Sequence, residues 1–190
     1  VRQKMKITLQ ADRLHWISDD GTDDPSDLCA HSPVVCEIND VVIVRPEDGD
    51  WTVSASAIFL LRALGRDHTS TCKVGDQLFP CCGHGIYDVG EPEVVICGCP
   101  SGIDFEIRRV GNTFQITTEA GKIIDVPEGD WKRAVLAYSS QIMNFYTNSQ
   151  TKKPHDEEEG KGLFAMMSEW RRLHHTYKEE AEQDVHGNTH

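Results

Sequence analysis

The sequence predicts an α+β fold with a mostly antiparallel β-meander, an N-terminal hairpin and about three helices packed on one side. Three observations predict it: two β-branched runs flank a two-residue link, short apolar runs recur between residues 93 and 126, and two long amphipathic stretches follow. We expect a single domain over residues 1–183, with the meander at 78–126, a helical part at 127–183 and a polar tail at 184–190.

The N-terminal third carries strand signals. Residues 5–10 alternate apolar and polar side chains, as a half-buried strand does. Residues 34–38 and 41–45 are rich in valine and isoleucine and flank Asn39-Asp40, which is the pattern of a tight hairpin. Residues 54–64 then predict a helix that is apolar on most sides and therefore buried.

Shorter strands and two long helices are predicted beyond residue 78. The candidate strands of the meander are residues 93–97, 103–110, 113–118 and 122–126. Pro127 suits the first turn of a helix. One face of that helix carries Trp131, Val135, Tyr138 and Ile142, and a second amphipathic stripe carries Leu163, Met167, Trp170, His174 and Tyr177.

The charge of the chain limits its partners. The net charge is −12, and the first 50 residues carry 11 acidic against five basic side chains. Such a surface repels nucleic acids and anionic membranes and attracts basic proteins. The seven cysteines are odd in number, and no apolar leader or run near 18 residues occurs. We therefore expect reduced thiols and a cytoplasmic protein, with the oligomeric state left open.

The most specific chemical pattern is a cluster of cysteine and histidine. Two short glycine-containing turns, about a dozen residues apart, carry residues that bind soft metals, which is the layout of a small zinc site. The predicted ligands are Cys82, His84, Cys97 and Cys99, with Cys81 as the alternate to Cys82. Residues two apart on a strand face the same side, so Cys97 and Cys99 could point at one ion.

Two other interpretations of the cluster stay open. Its cysteines could be free thiols buried beside a glycine-rich turn, since cysteine is among the most buried residue types. A catalytic or redox role would use Cys81 or Cys82 with His84 as the base, although residues so close in sequence are a poor geometry for such a pair. A weaker grouping, of Cys29, His31 and Cys36, is typical of core or loop residues.

An acidic loop between residues 18 and 27 is the predicted partner-binding surface. Its carboxylates are Asp19, Asp20, Asp23, Asp24 and Asp27. Their spacing misses the frame of a calcium-binding loop and lacks its closing glutamate. A second acidic run, at residues 156–159, is typical of a solvated face. The nucleotide-binding, zinc-protease and serine-hydrolase motifs are absent from the sequence.

Several motifs resemble small bacterial immunity proteins encoded beside polymorphic toxins, of the Rhs and contact-dependent inhibition type. The similar segments lie within residues 78–173 and are Cys82-Gly83-His84-Gly85, Ile96-Cys97-Gly98-Cys99-Pro100-Ser101-Gly102-Ile103-Asp104-Phe105 and Phe164-Ala165-Met166-Met167-Ser168-Glu169-Trp170-Arg171-Arg172. The resemblance implies a non-catalytic protein that binds and neutralises a cognate toxin, and it assigns no functional residue. The alternatives are a zinc-dependent enzyme and a zinc-braced adaptor in a protein assembly.

Overall fold

A computed structural model describes residues 5–18, 21–82 and 85–187, with side chains described as far as Gln183. The strands in this part of the chain are β1 (Ile7–Ala11), β2 (His31–Ser32), β3 (Val34–Ile38), β4 (Val41–Val44), β5 (Trp51–Thr52), β6 (Gly85–Tyr87), β7 (Val95–Cys97), β8 (Glu106–Val110), β9 (Thr113–Thr117) and β10 (Ile123–Pro127). The helices are α1 (Val53–Gly65), α2 (Glu128–Asn148) and α3 (Glu157–Gly187). The predicted α+β class is confirmed.

The N-terminal hairpin is confirmed in position and register. Ile38 at the end of β3 lies opposite Val41 at the start of β4, so Asn39 and Asp40 form the two-residue turn. Asn39 has a φ of 45°, a left-handed conformation that asparagine adopts more readily than most residues. β1 adds to the other edge of β3, which gives a three-stranded antiparallel sheet.

The meander is shorter than the sequence predicts. β8, β9 and β10 form an antiparallel sheet whose first turn contains Gly111 at a φ of 60°. The predicted first strand, residues 93–97, does not join this sheet, because β7 pairs instead with β6. The reason lies in residues 98–105, which fold back as a loop rather than continuing the meander. Within that loop, Ile103 exchanges both backbone hydrogen bonds with Phe79.

The helices pack against one another and each also contacts a different sheet. Every residue of α1 from Val53 to Leu64 is buried, as its apolar composition predicts. α2 packs on α1 and on β1, and α3 packs on α1, α2 and β6. The strands of the described residues form four small antiparallel sheets, two of three strands and two of two strands.

A buried ion pair locks α1 to α3. Arg62 donates from Nε to Oε1 of Glu169 over 2.7 Å and from Nη2 to Oε2 over 2.8 Å. The guanidinium also donates to the carbonyl oxygens of Val74 and Val94, and the Val94 amide donates to Glu169 Oε2. Each side-chain nitrogen of Arg62 and each carboxylate oxygen of Glu169 therefore has a hydrogen-bond partner, as is usual for buried charged groups.

No helix among the described residues combines the length and the apolar character that crossing a bilayer needs.

Candidate metal centre

Three cysteines converge at one edge of the fold. The Sγ atoms of Cys81, Cys82 and Cys99 all lie within 4.8 Å of one another. Cys81 and Cys82 follow Pro80 at the end of a long loop, and Cys99 lies two residues after β7. We call these three residues the thiol cluster. All three are half-buried, so the sulfurs remain within reach of solvent.

Backbone pairing holds the first of the two segments in place. The carbonyl oxygen of Pro80 accepts a hydrogen bond from the amide of Thr52, 2.9 Å away, at the start of α1. Phe79 is fully buried, and its amide and carbonyl both bond to Ile103 over 3.0 Å. The residues before the thiol cluster are therefore fixed to the core on both sides.

A glutamine clasp holds the second segment. Gln77 accepts from the amide of Gly102 over 2.7 Å and donates to the carbonyl oxygens of Pro100 and Gly102 over 3.2 Å. A Cβ atom on Gly102 would lie 2.3 Å from the Phe79 carbonyl oxygen and 2.9 Å from the Pro80 Cα. Only glycine lets the two backbones approach so closely, and this approach brings Cys99 to the other two sulfurs.

The three thiols of the thiol cluster are hydrogen-bonded to one another. The thiols of Cys82 and Cys81 and the backbone of Ser101 hydrogen-bond to Cys99, which lowers the pKa of Cys99. The same bonds to Cys99, together with burial, raise the pKa of Cys81 and of Cys82. The Cys99 amide donates to Cys82 Sγ over 3.1 Å. Negative charge is thus stabilised first on Cys99.

This arrangement could hold a metal ion. Zinc–sulfur bonds of about 2.3 Å in a tetrahedral site place sulfurs about 3.8 Å apart. The spacing of the thiol cluster, within 4.8 Å, needs only a small contraction to reach that value. Thiolates are also the donors that soft and borderline metals prefer. Donor type, spacing and accessibility therefore all fit a metal.

The thiol cluster overlaps the predicted ligand set only in part. Cys82 and Cys99 are both members, and Cys81, predicted as the alternate, lies beside them as a third. Cys97 is exposed at the end of β7, opposite Gly85, and is not one of the three converging sulfurs. The alternation that would align Cys97 with Cys99 stops because β7 ends at Cys97. His84 lies outside the described residues.

The weaker cysteine grouping lies in the core. Cys29 and Cys36 are buried, and burial raises the pKa of each thiol to about 12. Such thiols stay protonated and unreactive at neutral pH. His31 is buried nearby, with its Nδ1 atom 3.7 Å from a carboxylate oxygen of Asp27. These residues are not among the side chains that the described structure gathers at metal-binding spacing.

The acidic loop is folded against the rest of the protein. Asp23 accepts hydrogen bonds from the Gln150 amide and from Lys152 Nζ, over 2.6 and 2.9 Å. Desolvation raises the pKa of Asp23, but these two partners outweigh it and hold the pKa below its usual value. Asp27 accepts from the amides of Ile17 and Cys29. Asp19 and Asp20 lie outside the described residues.

A small acidic cavity lies beside this loop. Its volume is about 340 Å³, and its lining includes Asp24, Asp27, His31, His155 and Glu159. Glu159 accepts from the His155 amide over 2.7 Å at the start of α3. Residues 156–158 are exposed, as the predicted solvated face requires, whereas Glu159 lines the cavity, a juxtaposition that sequence reasoning missed. Asp27 and Glu159 are 132 residues apart, and nothing in the sequence pattern shows that the two meet in space.

Sequence reasoning also missed a buried histidine. His68 is 1% exposed, and its Nδ1 accepts from the Val74 amide over 3.1 Å. Its Nε2 therefore donates to Asp104 Oδ1, 2.8 Å away. The pair borders a groove of about 540 Å³. Since both ring nitrogens are engaged, His68 fastens the loop to β8 and is not placed to act as a base.

No protein-family model matches this chain, and no curated protein or solved structure matches it either.

Proposed function

We propose that the protein is a zinc-braced, non-catalytic binding protein that neutralises a basic partner. The observation that supports the zinc is the thiol cluster, in which three sulfurs from two separate loops converge. A metal bound there would join the end of the loop after α1 to the loop after β7. Zinc in a closed site of this kind stabilises a fold and carries out no chemistry.

Structural zinc takes four ligands, so one more residue is required. We propose that His84 or Cys97 supplies it, since both belong to the ligand set that the sequence predicts. In the alternative function, water occupies the fourth position and the protein is a zinc-dependent enzyme. Extended X-ray absorption fine structure spectroscopy of the zinc-loaded protein distinguishes four protein ligands from three protein ligands and a water. Under our proposal, His84→Ala or Cys97→Ser replaces one protein ligand. If neither substitution changes the coordination, the enzyme alternative is favoured.

Metal content tests the thiol cluster directly. Protein purified without chelator should contain about one zinc ion per chain by elemental analysis. Cys99→Ser should remove the zinc, because it takes away one of the converging sulfurs. Cys72→Ser is the matched control, since Cys72 is exposed and lies outside the thiol cluster. Wild-type protein that binds no zinc even after loading would refute the zinc brace.

The partner is proposed from charge. The chain carries a net charge of −12, and three carboxylates, those of Asp24, Asp27 and Glu159, line the acidic cavity. A cavity of this size and sign suits a lysine or arginine side chain presented by a basic protein, and the negative field around it would speed association. Together with the resemblance to immunity proteins, this favours a bacterial toxin as the partner and the cytoplasm as the place of action.

Co-expression with the toxin-like gene nearest in the genome tests this partner. The protein should protect cells from that toxin and co-purify with it, and the complex should weaken as salt rises. Glu159→Gln should lower the association rate, whereas Glu158→Gln, an equal change of charge at an exposed neighbour, should lower it less. Absence of protection, or a stable complex with a non-toxin protein, would favour the adaptor alternative.

A further inference from the structure

The thiol cluster has the geometry of an oxidation site as well as of a metal site. Its three sulfurs are accessible and lie within 4.8 Å of one another, so a disulfide of about 2.05 Å needs a closure of less than about 3 Å. Side-chain rotation supplies a movement of that size. The two buried cysteines, Cys29 and Cys36, offer no such access.

Backbone geometry selects which pair can bond. Cys81 and Cys82 are adjacent, so their Cα atoms are about 3.8 Å apart, below the range of about 4.4–6.8 Å that unstrained disulfides span. Cys99 must therefore be one partner. The Cys99 amide already contacts Cys82 Sγ at 3.1 Å, which places that sulfur directly beside Cys99.

We propose that hydroperoxides oxidise the thiol cluster to a Cys82–Cys99 disulfide. One of these two sulfurs attacks an oxygen of hydrogen peroxide, the O–O bond breaks, and a sulfenic acid and one molecule of water form. The other sulfur then attacks the sulfur of the sulfenic acid, the S–O bond breaks, and a second water leaves. In total, two thiols and one hydrogen peroxide give one disulfide and two waters, so each sulfur loses one electron and the peroxide gains two.

The disulfide and the metal use the same two sulfurs, so each excludes the other. Oxidation therefore releases the ion from the zinc-loaded protein, and bound zinc slows oxidation. This coupling rests on the proposed zinc function, whereas the disulfide itself rests only on the positions of the sulfurs. The thiol cluster would then respond to peroxide by replacing a bound zinc ion with a disulfide bond between the same two loops.

Peptide mapping of the full chain tests the disulfide. Reduced, metal-free protein is treated with hydrogen peroxide, alkylated and digested. The expected product is a Cys82–Cys99 crosslinked peptide, two hydrogen atoms lighter than the sum of its parts. Cys72→Ser, which alters an exposed thiol outside the cluster, should give the same peptide, and Cys99→Ser should lose it. The wild-type map assigns the pair even if Cys99→Ser folds poorly.

Two results would overturn the proposal: sulfinic acid at Cys82 or Cys99 without any crosslink, or a main crosslink other than Cys82–Cys99. A second experiment treats zinc-loaded protein with hydrogen peroxide and measures the released zinc with a chelator that changes colour when it binds the ion. About one zinc ion should be released per disulfide formed. If the crosslink forms but the protein never binds zinc, the zinc function fails and the oxidation site stands. If zinc binds and no Cys82–Cys99 crosslink forms, the oxidation site fails and the zinc function stands.

Discussion

The Arg62–Glu169 pair and the thiol cluster are both polar, but they differ in how completely the protein satisfies them. Arg62 and Glu169 are almost fully buried, and five hydrogen bonds join them to each other, to Val74 and to Val94. The residues of the thiol cluster are half-buried, and one another's thiols are among their chief partners. A saturated buried cluster holds the fold together, whereas a partly satisfied and accessible one can still accept a ligand.

Removing one member of the saturated pair should have the largest effect. Glu169→Ala takes away both carboxylate acceptors of the buried Arg62 and leaves it only the more distant Glu93, whose Oε2 lies 3.8 Å from Nε. It also takes away the acceptor of the Val94 amide. We expect a loss of about 3–5 kcal/mol in the free energy of unfolding, measured by urea denaturation. The control is Glu157→Gln, which breaks the exposed pair with Lys161 and should cost less than about 1 kcal/mol. Equal costs for the two variants would mean that burial does not separate these pairs.

The loop that carries Cys99 should be the next most sensitive. Gly102→Ala places a methyl group 2.3 Å from the Phe79 carbonyl oxygen, so the backbones must separate. We expect a loss of about 1–3 kcal/mol in stability and weaker zinc binding, because Cys99 moves with the loop. Gly129→Ala is the control: its new Cβ lies 3.4 Å from Arg133 in α2, and it should leave stability unchanged or raise it by up to about 1 kcal/mol. Calorimetry and zinc titration measure both effects.

The sequence reveals local structure well where the pattern is regular. The hairpin, α1 and the buried face of α2 at Trp131, Val135, Tyr138 and Ile142 are all found where they are predicted. Each of these elements depends on residues close together in the sequence. The periodic spacing of their apolar side chains indicates which side of the element is buried.

The sequence does not reveal which loops meet. β6 is three residues long, too short to show alternation, so its pairing with β7 was missed. The contact of Cys99 with Cys81 and Cys82 depends on the close approach at Gly102, and that of Glu169 with Arg62 depends on how two distant helices cross. Contacts of this kind follow from tertiary packing, and no periodic pattern in the sequence indicates them.

The His68–Asp104 pair lies between the two clusters in burial and should give the smallest effect. Asp104 accepts from His68 and from the Leu78 amide, one residue before Phe79, so it helps to fasten the loop that leads to the thiol cluster. Desolvation raises the pKa of Asp104, but the bonds from His68, Leu78 and Lys73 outweigh it and leave the pKa below its usual value. A lowered folded-state pKa contributes stability above the unfolded pKa of about 4, and this contribution is lost as pH falls through the folded value.

Asp104→Asn should therefore cost about 1 kcal/mol at neutral pH, the value of a typical hydrogen bond. In urea denaturation, the difference between the variant and the wild type should shrink as pH falls from about 4 towards the lower folded-state pKa, because the unfolded chain takes up the proton before the folded carboxylate does. The control is Asp125→Asn, a change of the same kind at an exposed strand position, which should cost less than Asp104→Asn at neutral pH. A gap between wild type and Asp104→Asn that stayed constant down to low pH would show that the side chain contributes by shape and not by charge.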